Sequence, residues 1–152
     1  MQRRKFILAS ALAMSLAVPA VQAAAKADPE ITVYRSPTCG CCLKWVEHLR
    51  KEGFTVKVVE SEDVNGIKFE QGVPENMTSC HTGMVNGYFL EGHVPAREVR
   101  RLLAERPAAR GIAVPGMPMG SPGMEMNGHT QAYDVFLVKK DGSNSVFAHY
   151  PK

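Results

Sequence analysis

The sequence predicts an α/β fold, and three observations carry this prediction. Short β-branched runs alternate along the chain with segments whose apolar residues have helical spacing. The pair Asn86-Gly87 separates two apolar runs, which is a strong signal for a β-hairpin. After residue 110 the composition becomes rich in methionine, proline and glycine, and a second hairpin pattern follows. We therefore expect one mixed domain with a C-terminal extension.

The N-terminus has the pattern of a secretory signal peptide. Arg3, Arg4 and Lys5 precede an apolar run and then small residues suited to cleavage. The apolar run has about a dozen residues, whereas roughly 20 are needed to span a bilayer. We assign residues 1–23 to the signal peptide and 24–30 to a flexible N-terminus, and we expect no stable membrane anchor. The basic residues also resemble a twin-arginine signal, so the export route stays open.

The charge balance of the exported chain excludes some partners. Without the three basic residues of the signal peptide, the 18 Lys and Arg of the chain fall to 15, which equals its 15 Asp and Glu. A net charge of zero gives no reason to expect nucleic acid or an anionic membrane as a partner. No apolar helix face is left uncovered by the predicted elements, so we expect a monomer.

The region 31–107 is predicted to contain seven elements in the order β-α-β-α-β-β-α. Strands are expected at 31–34, 55–59, 77–85 and 88–94, and helices at 41–51, 63–72 and 95–106. Gly53 is suited to end the first helix, and Pro95 to occupy the first position of the third. Either Ser61 or Asp63 can cap the second helix.

This order of elements is that of a thioredoxin-like core. In such a core the loop that enters the third strand, here residues 78–81, lies against the N-terminus of the first helix. Cys80 is therefore expected to face the cysteines at the start of that helix. Thioredoxins usually place a cis-proline in this loop, whereas Ser79-Cys80 stands there in this chain. A thiol at that position impedes ordinary disulfide exchange and completes a set of four sulfurs.

Residues 108–152 are predicted to form a metal-binding extension. Proline and glycine are too frequent from Gly111 to His129 for a regular helix or a central strand, and four methionines lie among them. A hairpin of residues 133–138 and 145–150 follows. In an alternative assignment this last hairpin belongs to the core, and the methionine-rich loop approaches the cysteines instead of, or together with, Cys80.

The segment Cys39-Gly40-Cys41-Cys42 is the candidate functional centre. It follows the first strand and opens the first helix, where free N–H groups and the helix dipole favour thiolate over thiol. Three sulfurs on one turn indicate either a redox centre or a site for a soft metal ion. Ordinary structural disulfides fit these spacings less well, because they would close very small loops.

Soft thiolate and thioether ligands select Cu(I), whereas methionine is a poor ligand for zinc. We therefore predict a copper site whose sulfurs bridge several ions. Among the histidines, His93 is the predicted ligand, and His81, His129 and His149 are weaker candidates. His48 is excluded because we expect it on a solvated helix face. The predicted ligands are Cys39, Cys41, Cys42, Cys80, His93, Met117 and Met124.

Two further functions remain open. A thiol–disulfide oxidoreductase would use Cys39 to attack a substrate disulfide and Cys42 to resolve the product. A passive copper chaperone or buffer would use the same ligands as a copper redox protein without turnover. In the redox reading, Cys39 and Cys42 are the candidate catalytic residues.

Several short motifs together resemble one family, the CopG-type copper-resistance proteins of Gram-negative bacteria. These motifs are the Cys-x-Cys-Cys turn, Ser79-Cys80-His81-Thr82, Glu91-Gly92-His93-Val94-Pro95 and Gly116-Met117-Pro118 with the Gly-Ser-Pro-Gly-Met-Glu run that follows. The resemblance spans residues 31–150. It implies a periplasmic, thioredoxin-like protein with a C-terminal extension and copper held by the cysteines. It also implies interconversion of Cu(I) and Cu(II) beside copper-efflux components.

Overall fold

The computed structural model describes residues 28–151. The predicted signal peptide, residues 1–23, lies outside the described residues, as do residues 24–27 of the predicted flexible N-terminus. In the described part, seven strands form one mixed sheet, and three α-helices and a short 3-10 helix connect them. None of the helices in residues 28–151 has the length and apolar character needed to cross a bilayer.

The strands and helices follow the predicted order up to the third helix, with small changes at their ends. The strands are β1 Ile31–Arg35, β2 Val56–Glu60, β3 His81–Val85, β4 Tyr88–Glu91, β5 Ala109–Ala113, β6 Tyr133–Lys139 and β7 Asn144–Tyr150. The helices are α1 Gly40–Lys51, α2 Val64–Glu70 and α3 Ala96–Glu105, with the 3-10 helix at Glu75–Met77.

The sheet has the strand order β2-β1-β3-β4-β5-β6-β7. Strand β1 pairs in parallel with β2 and antiparallel with β3, and β3 and β4 form a hairpin. Asn86 and Gly87 both have positive φ in the turn of this hairpin, as expected for Asn-Gly. Because β3 lies beside β1, the hairpin of β3 and β4 occupies the position predicted for the core hairpin, and the last hairpin does not.

One strand was not expected. Strand β5 pairs in parallel with β4 and antiparallel with β6, so it joins the last hairpin to the main sheet. The prediction of an irregular segment from Gly111 onward is therefore wrong for residues 111–113. A side chain at Gly111 would lie 2.1 Å from the carbonyl oxygen of Phe89, so glycine is needed for the close approach of the two strands. A central glycine and an alanine at each end hid the strand pattern.

The predicted helix ends are largely confirmed. Gly53, with a φ of +92°, follows the last turn of α1 and donates its N–H to the Arg50 carbonyl. The Asp63 side chain caps α2 by accepting the Gly66 N–H at 2.7 Å. Pro95 is the N-cap of α3 and not its first residue, a shift of one position.

Apolar side chains cover both faces of the sheet. One core packs α1 and α3 against the sheet around the fully buried Trp45, whose indole N–H donates to the Val94 carbonyl at 2.8 Å. A smaller cluster on the other face includes Met77 and Phe89. Phe89 and Leu90 point into opposite clusters because successive residues of a strand alternate between faces. The ends of β3 and β4 are thereby held between two packed layers.

Candidate metal centre

The four cysteines meet where α1 begins and the chain enters β3. Cys39 is the N-cap of α1, Cys41 and Cys42 lie on its first turn, and Cys80 directly precedes β3. The sulfur atoms of all four lie within 4.8 Å of one another. The structure thus places Cys80 opposite the Cys-x-Cys-Cys turn, as the predicted order of elements implies.

Two of these cysteines are joined and two are free. Cys39 and Cys42 form a disulfide, in which Cys42 is fully buried and Cys39 is half-buried. The free Cys41 sulfur lies 3.5 Å from the Cys39 sulfur and 3.9 Å from the Cys80 sulfur. The oxidised centre therefore offers two thiols, and reduction of the disulfide would offer four.

A second group of ligands shares Cys80 with the cysteine cluster. The Cys80 sulfur lies 3.2 Å from Nδ1 of His81 and 3.2 Å from Nε2 of His93. The three donor atoms of this group lie within 4.8 Å of one another. His93 belonged to the predicted ligand set, whereas His81 was only a weaker candidate. The position of His81, next to Cys80 at the start of a strand, was the sequence feature that indicated it as a ligand.

Both imidazoles are placed to act as neutral ligands. Nδ1 of His93 lies 2.8 Å from the Pro122 carbonyl oxygen and must donate to it, which leaves Nε2 with a lone pair toward Cys80. Burial lowers the pKa of His93. Burial and the neighbouring His93 and Lys68 hold the pKa of His81 well below its usual range. Nε2 of His81 is buried without a hydrogen-bond partner among the described residues.

The expectation that the helix dipole lowers the thiol pKa values is wrong for Cys80. Burial, followed by the charge of Cys41 and its hydrogen bond, raises the pKa of the Cys80 thiol to about 12. The thiol lies before β3 and not on the first turn of α1, so the dipole of α1 acts on it only from a distance. Cys80 is therefore a neutral thiol near pH 7, and a bound metal ion would have to displace its proton.

Met117 reaches the cysteine cluster from the methionine-rich loop. Its thioether sulfur lies 4.0 Å from the Cys41 sulfur, and the side chain is 51% exposed. The loop is held at this point because the Ser79 hydroxyl donates to the Gly116 carbonyl, while the Gly116 N–H donates to the Thr78 carbonyl. The loop therefore approaches the cysteines together with Cys80.

Met124 lies beside the cluster in a different setting. It lines a cavity of about 370 Å³ together with Gly40, Cys41, Lys44, Gly123, Glu125 and Met126. No contact between its thioether and a thiol sulfur is recorded within residues 28–151, in contrast to Met117. Met126, which was not in the predicted set, lines the same cavity and is 52% exposed.

The loop closes tightly over the start of α1 at Gly123. This residue has a φ of +85°, and a Cβ atom there would lie 2.7 Å from the backbone nitrogen of Trp45. Its N–H donates to the Glu125 carboxylate at 2.9 Å. The close packing at Gly123 also holds the neighbouring Pro122, whose carbonyl accepts from Nδ1 of His93. It thereby fixes the orientation of His93, a candidate ligand.

The other histidines lie outside the centre. His48 is not on a solvated face, as we had expected: it is half-buried, and its Nε2 accepts the Ala96 N–H at the start of α3 at 3.1 Å. Burial lowers its pKa, in keeping with a neutral ring that accepts this N–H. His149 is exposed and pairs with Asp134 at 2.7 Å, and His129 is exposed in the loop.

One residue near the disulfide was missed by sequence reasoning. Arg35, at the end of β1, is only 2% exposed. Its guanidinium donates to the carbonyls of Pro37 at 2.9 Å and Cys39 at 3.2 Å, and it pairs with Glu60 at 2.5 Å. A single arginine at the end of a strand gives no sequence signal for this arrangement. The residue fixes the backbone that leads into the Cys-x-Cys-Cys turn.

The donor atoms gathered here fit copper. Thiols, a thioether and imidazoles are the ligands that copper ions prefer, and all three kinds are gathered here. The cysteine cluster therefore fits the binding of copper.

Comparisons with known proteins agree with this chemistry. Residues 77–124 match the family model described as "Protein of unknown function, DUF411". No curated protein sequence matches the chain. Two solved structures, "Copper resistance protein copG- Form 2" and "Copper resistance protein copG- Form 1", are 46% identical to it, with TM-scores of 0.79 and 0.78. Each match covers 82% of this chain and 99% of the other. The chain therefore belongs to the CopG family of copper resistance proteins, as its motifs predicted.

Proposed function

We propose that this protein binds copper in the periplasm and interconverts Cu(I) and Cu(II) as part of copper resistance. The observation that carries the proposal is the convergence of four cysteine sulfurs within 4.8 Å, with Cys80 shared between them and two histidines. The two solved relatives are named as copper resistance proteins. The predicted signal peptide supports export.

The ligand set we propose has two parts with different chemistry. The cysteines of the turn, with Met117, supply soft sulfur donors suited to Cu(I), while His81 and His93 supply imidazoles that also suit Cu(II). Because Cys80 belongs to both parts, its sulfur is placed to bridge ions, and we propose that more than one copper ion binds per chain. Met124 stays a candidate ligand, one that needs a movement of the loop.

The Cys39–Cys42 pair gives the centre a two-electron couple, in which the two thiols donate electrons and the disulfide accepts them. Oxidation of the reduced Cys39 and Cys42 thiols to the disulfide releases two electrons and two protons, which balances the reduction of two Cu(II) ions to Cu(I). Copper supplies the one-electron steps when it is bound. The half-buried Cys39 is the sulfur accessible to an external reductant, while the fully buried Cys42 is shielded from one. We propose Cys39 and Cys42 as the catalytic residues.

We also propose that residues 31–107 form a thioredoxin-like core. The arrangement β2-β1-β3-β4, with α1 rising from the end of β1, supports this assignment. Residues 108–152 would then be the metal-binding extension, although β5 to β7 continue the same sheet. We expect the protein to act as a monomer and to exchange copper with periplasmic efflux components.

Metal analysis after anaerobic reconstitution with Cu(I) tests copper binding. We expect more than one copper ion per chain, and less than one would overturn the proposal. Redox turnover is tested separately, by recording the copper oxidation state spectroscopically while oxidant and reductant are added in alternation. If copper binds but its oxidation state does not change reversibly, the protein is a passive copper chaperone or buffer.

A thiol–disulfide oxidoreductase is the second candidate, and one observation favours it. The accessible Cys39 and the buried Cys42 are arranged like an attacking and a resolving cysteine. Insulin reduction by the copper-free protein distinguishes this candidate. Rapid turnover would favour it, whereas we expect slow turnover because Cys41 and Cys80 lie against the disulfide.

A further inference from the structure

A buried carboxylate lies directly behind the Cys80 loop. Glu91, the last residue of β4, is completely buried, and its carboxylate receives three hydrogen-bond donors. These are Nζ of Lys68 at 2.6 Å, the backbone N–H of Ser79 at 2.6 Å and the hydroxyl of Thr82 at 2.7 Å. Lys68 is itself only 4% exposed and also donates to Thr82 at 3.0 Å. The two carboxylate oxygens therefore join three separate segments of the chain.

The joined segments are α2, the stretch 79–82 and the end of β4, and the last two present the candidate ligands. Ser79 immediately precedes Cys80, and Thr82 immediately follows His81. Glu91 itself lies two residues before His93 on the same stretch of chain. One carboxylate therefore fixes the segment that carries Cys80 and His81 against the segment that carries His93. The distances of 3.2 Å from the Cys80 sulfur to both imidazoles depend on this alignment.

A second contact holds the same two segments together. Gly92 follows Glu91 with a φ of +73°, and a Cβ atom there would lie 2.7 Å from Cβ of Ser79 and 2.4 Å from the Val114 carbonyl oxygen. No side chain fits between the end of β4 and the Cys80 loop. The Cys80 loop therefore packs against β4 at Gly92 and is hydrogen-bonded to the buried carboxylate of Glu91.

A purely stabilising role explains this arrangement poorly. Removing two charges from water is expensive, and a buried ion pair often contributes no more stability than well-packed apolar side chains. The surrounding cluster offers such packing, with Val73, Met77 and Phe89 on the same face of the sheet. What an apolar pair would not provide is an acceptor for the Ser79 N–H and the Thr82 hydroxyl.

We infer that Glu91 is the positioning residue of the copper centre, with Lys68 as its charge partner. The inference deepens the proposed function, and its importance for copper rests on that proposal. Glu91 touches none of the candidate donor atoms. It acts by holding Cys80, His81 and His93 in register, and Lys68 keeps the carboxylate in place from α2.

The test compares Glu91→Gln with Glu98→Gln. Glu98, on α3, is also a fully buried carboxylate, and it accepts the hydroxyl of Tyr150, on the edge strand β7, at 2.7 Å. For Glu91→Gln we expect the affinity for Cu(I) to fall about 10- to 100-fold, the usual effect of losing a group that orients metal ligands. For Glu98→Gln we expect the affinity to stay that of the wild type, although its stability also falls.

A second readout needs no copper. In the copper-free protein with the disulfide intact, Cys41 and Cys80 are the free thiols. Alkylation followed by peptide mapping measures each of them, and Cys41 serves as an internal reference. We expect Glu91→Gln to raise the alkylation rate of Cys80 relative to Cys41 about fivefold, the population shift expected from the loss of one hydrogen bond. Glu98→Gln should leave this ratio unchanged.

The double variant Lys68→Met/Glu91→Gln covers the case in which Glu91→Gln folds poorly, because it leaves no unpaired buried charge. We expect the same rise in the alkylation ratio for it. An unchanged ratio in a folded Glu91 variant would overturn the inference, as would equal effects of Glu91→Gln and Glu98→Gln. If the wild-type protein binds no copper, the proposed function fails, whereas the alkylation ratio still decides whether Glu91 positions Cys80.

Discussion

The two sides of the centre are built differently. The Cys-x-Cys-Cys turn lies on the first turn of a helix, is partly exposed and contains the disulfide. The opposite side, formed by Cys80, His81 and His93, lies at the ends of two central strands, and both histidines are fully buried. The turn is held by one guanidinium and by backbone hydrogen bonds, whereas the opposite side is held by a buried polar network.

Under the proposed function, this difference separates two tasks. The turn would change its redox state, since it contains the disulfide and the partly exposed Cys39. The Cys80 side would keep its donors in place, since the polar network around Glu91 holds them. Substitutions that change the properties of one side and leave those of the other unchanged therefore test whether the two tasks are separate.

The largest effect is expected from Cys80→Ser. Cys80 belongs to both ligand groups, and a serine hydroxyl is a poor ligand for Cu(I). We expect the Cu(I) affinity to fall by more than the roughly 10- to 100-fold that loss of an outer contact causes, and the number of bound ions to fall as well. Cys41→Ser, which removes a donor from one group only, is the control. Equal losses in the two variants would contradict the special position of Cys80.

Arg35→Met should affect the turn alone. The change removes the donors to the Pro37 and Cys39 carbonyls, so we expect the free energy of unfolding to fall by about 2 kcal/mol. The reduction potential of the disulfide should shift, while the alkylation rate of Cys80 relative to Cys41 stays the same. Urea denaturation and a thiol redox titration measure these effects.

Arg110→Met is the matched control, because Arg110 also donates to a backbone carbonyl, that of Lys140, but is exposed. Arg110→Met should change neither the free energy of unfolding nor the reduction potential of the disulfide appreciably. A potential that is unmoved in Arg35→Met would show that the guanidinium does not set the conformation of the turn.

Gly123→Ala should loosen the loop over the centre. A left-handed conformation costs a residue with a side chain about 1 kcal/mol, and the added Cβ would also press on the backbone of α1. We expect faster hydrogen exchange in residues 116–124 and weaker retention of copper. Gly128→Ala has a similar positive φ but meets nothing within 4 Å, so it shows the conformational cost alone. Equal effects of the two variants would mean that the closure at Gly123 has no consequence for the site.

The smallest effect concerns pH. The Cys80 thiol has its pKa raised from 9.0 to about 12, so the folded protein keeps this proton where the unfolded chain loses it. The resulting contribution to stability is complete below about pH 9 and is lost as the pH rises toward 12. The thermal midpoint of the copper-free protein should therefore fall between pH 9 and 10.5. The fall should be smaller in Cys80→Ser, and identical slopes would contradict the raised pKa.

Sequence reasoning succeeded where local chemistry determines structure. The Asn-Gly turn, the Asp63 cap and the helix end at Gly53 follow from preferences of single residues, and the structure has all three. The meeting of Cys80 with the Cys-x-Cys-Cys turn followed from the order of elements. It did not require knowledge of any side-chain contact.

The failures concern properties that depend on packing. Strand β5 was missed because Gly111 is there for contact with Phe89, not for its own preference. His48 was placed in solvent because a helical pattern does not show that α3 begins above it. The raised pKa of Cys80 arises from burial, and the role of Arg35 depends on the path of the following loop. A single sequence carries little information on any of these.

The position of the methionine-rich loop between β5 and β6 has a consequence for evolution and engineering. These two strands are neighbours in the sheet, with Ala113 paired to Phe136, so the loop leaves and returns at adjacent points. Residues 114–132 can therefore vary in length and ligand content without a change in the strand order. Exchanging this loop between relatives, with Gly116, Pro122 and Gly123 kept, would alter the candidate thioether ligands while Cys80 and His93 keep their contacts with the loop.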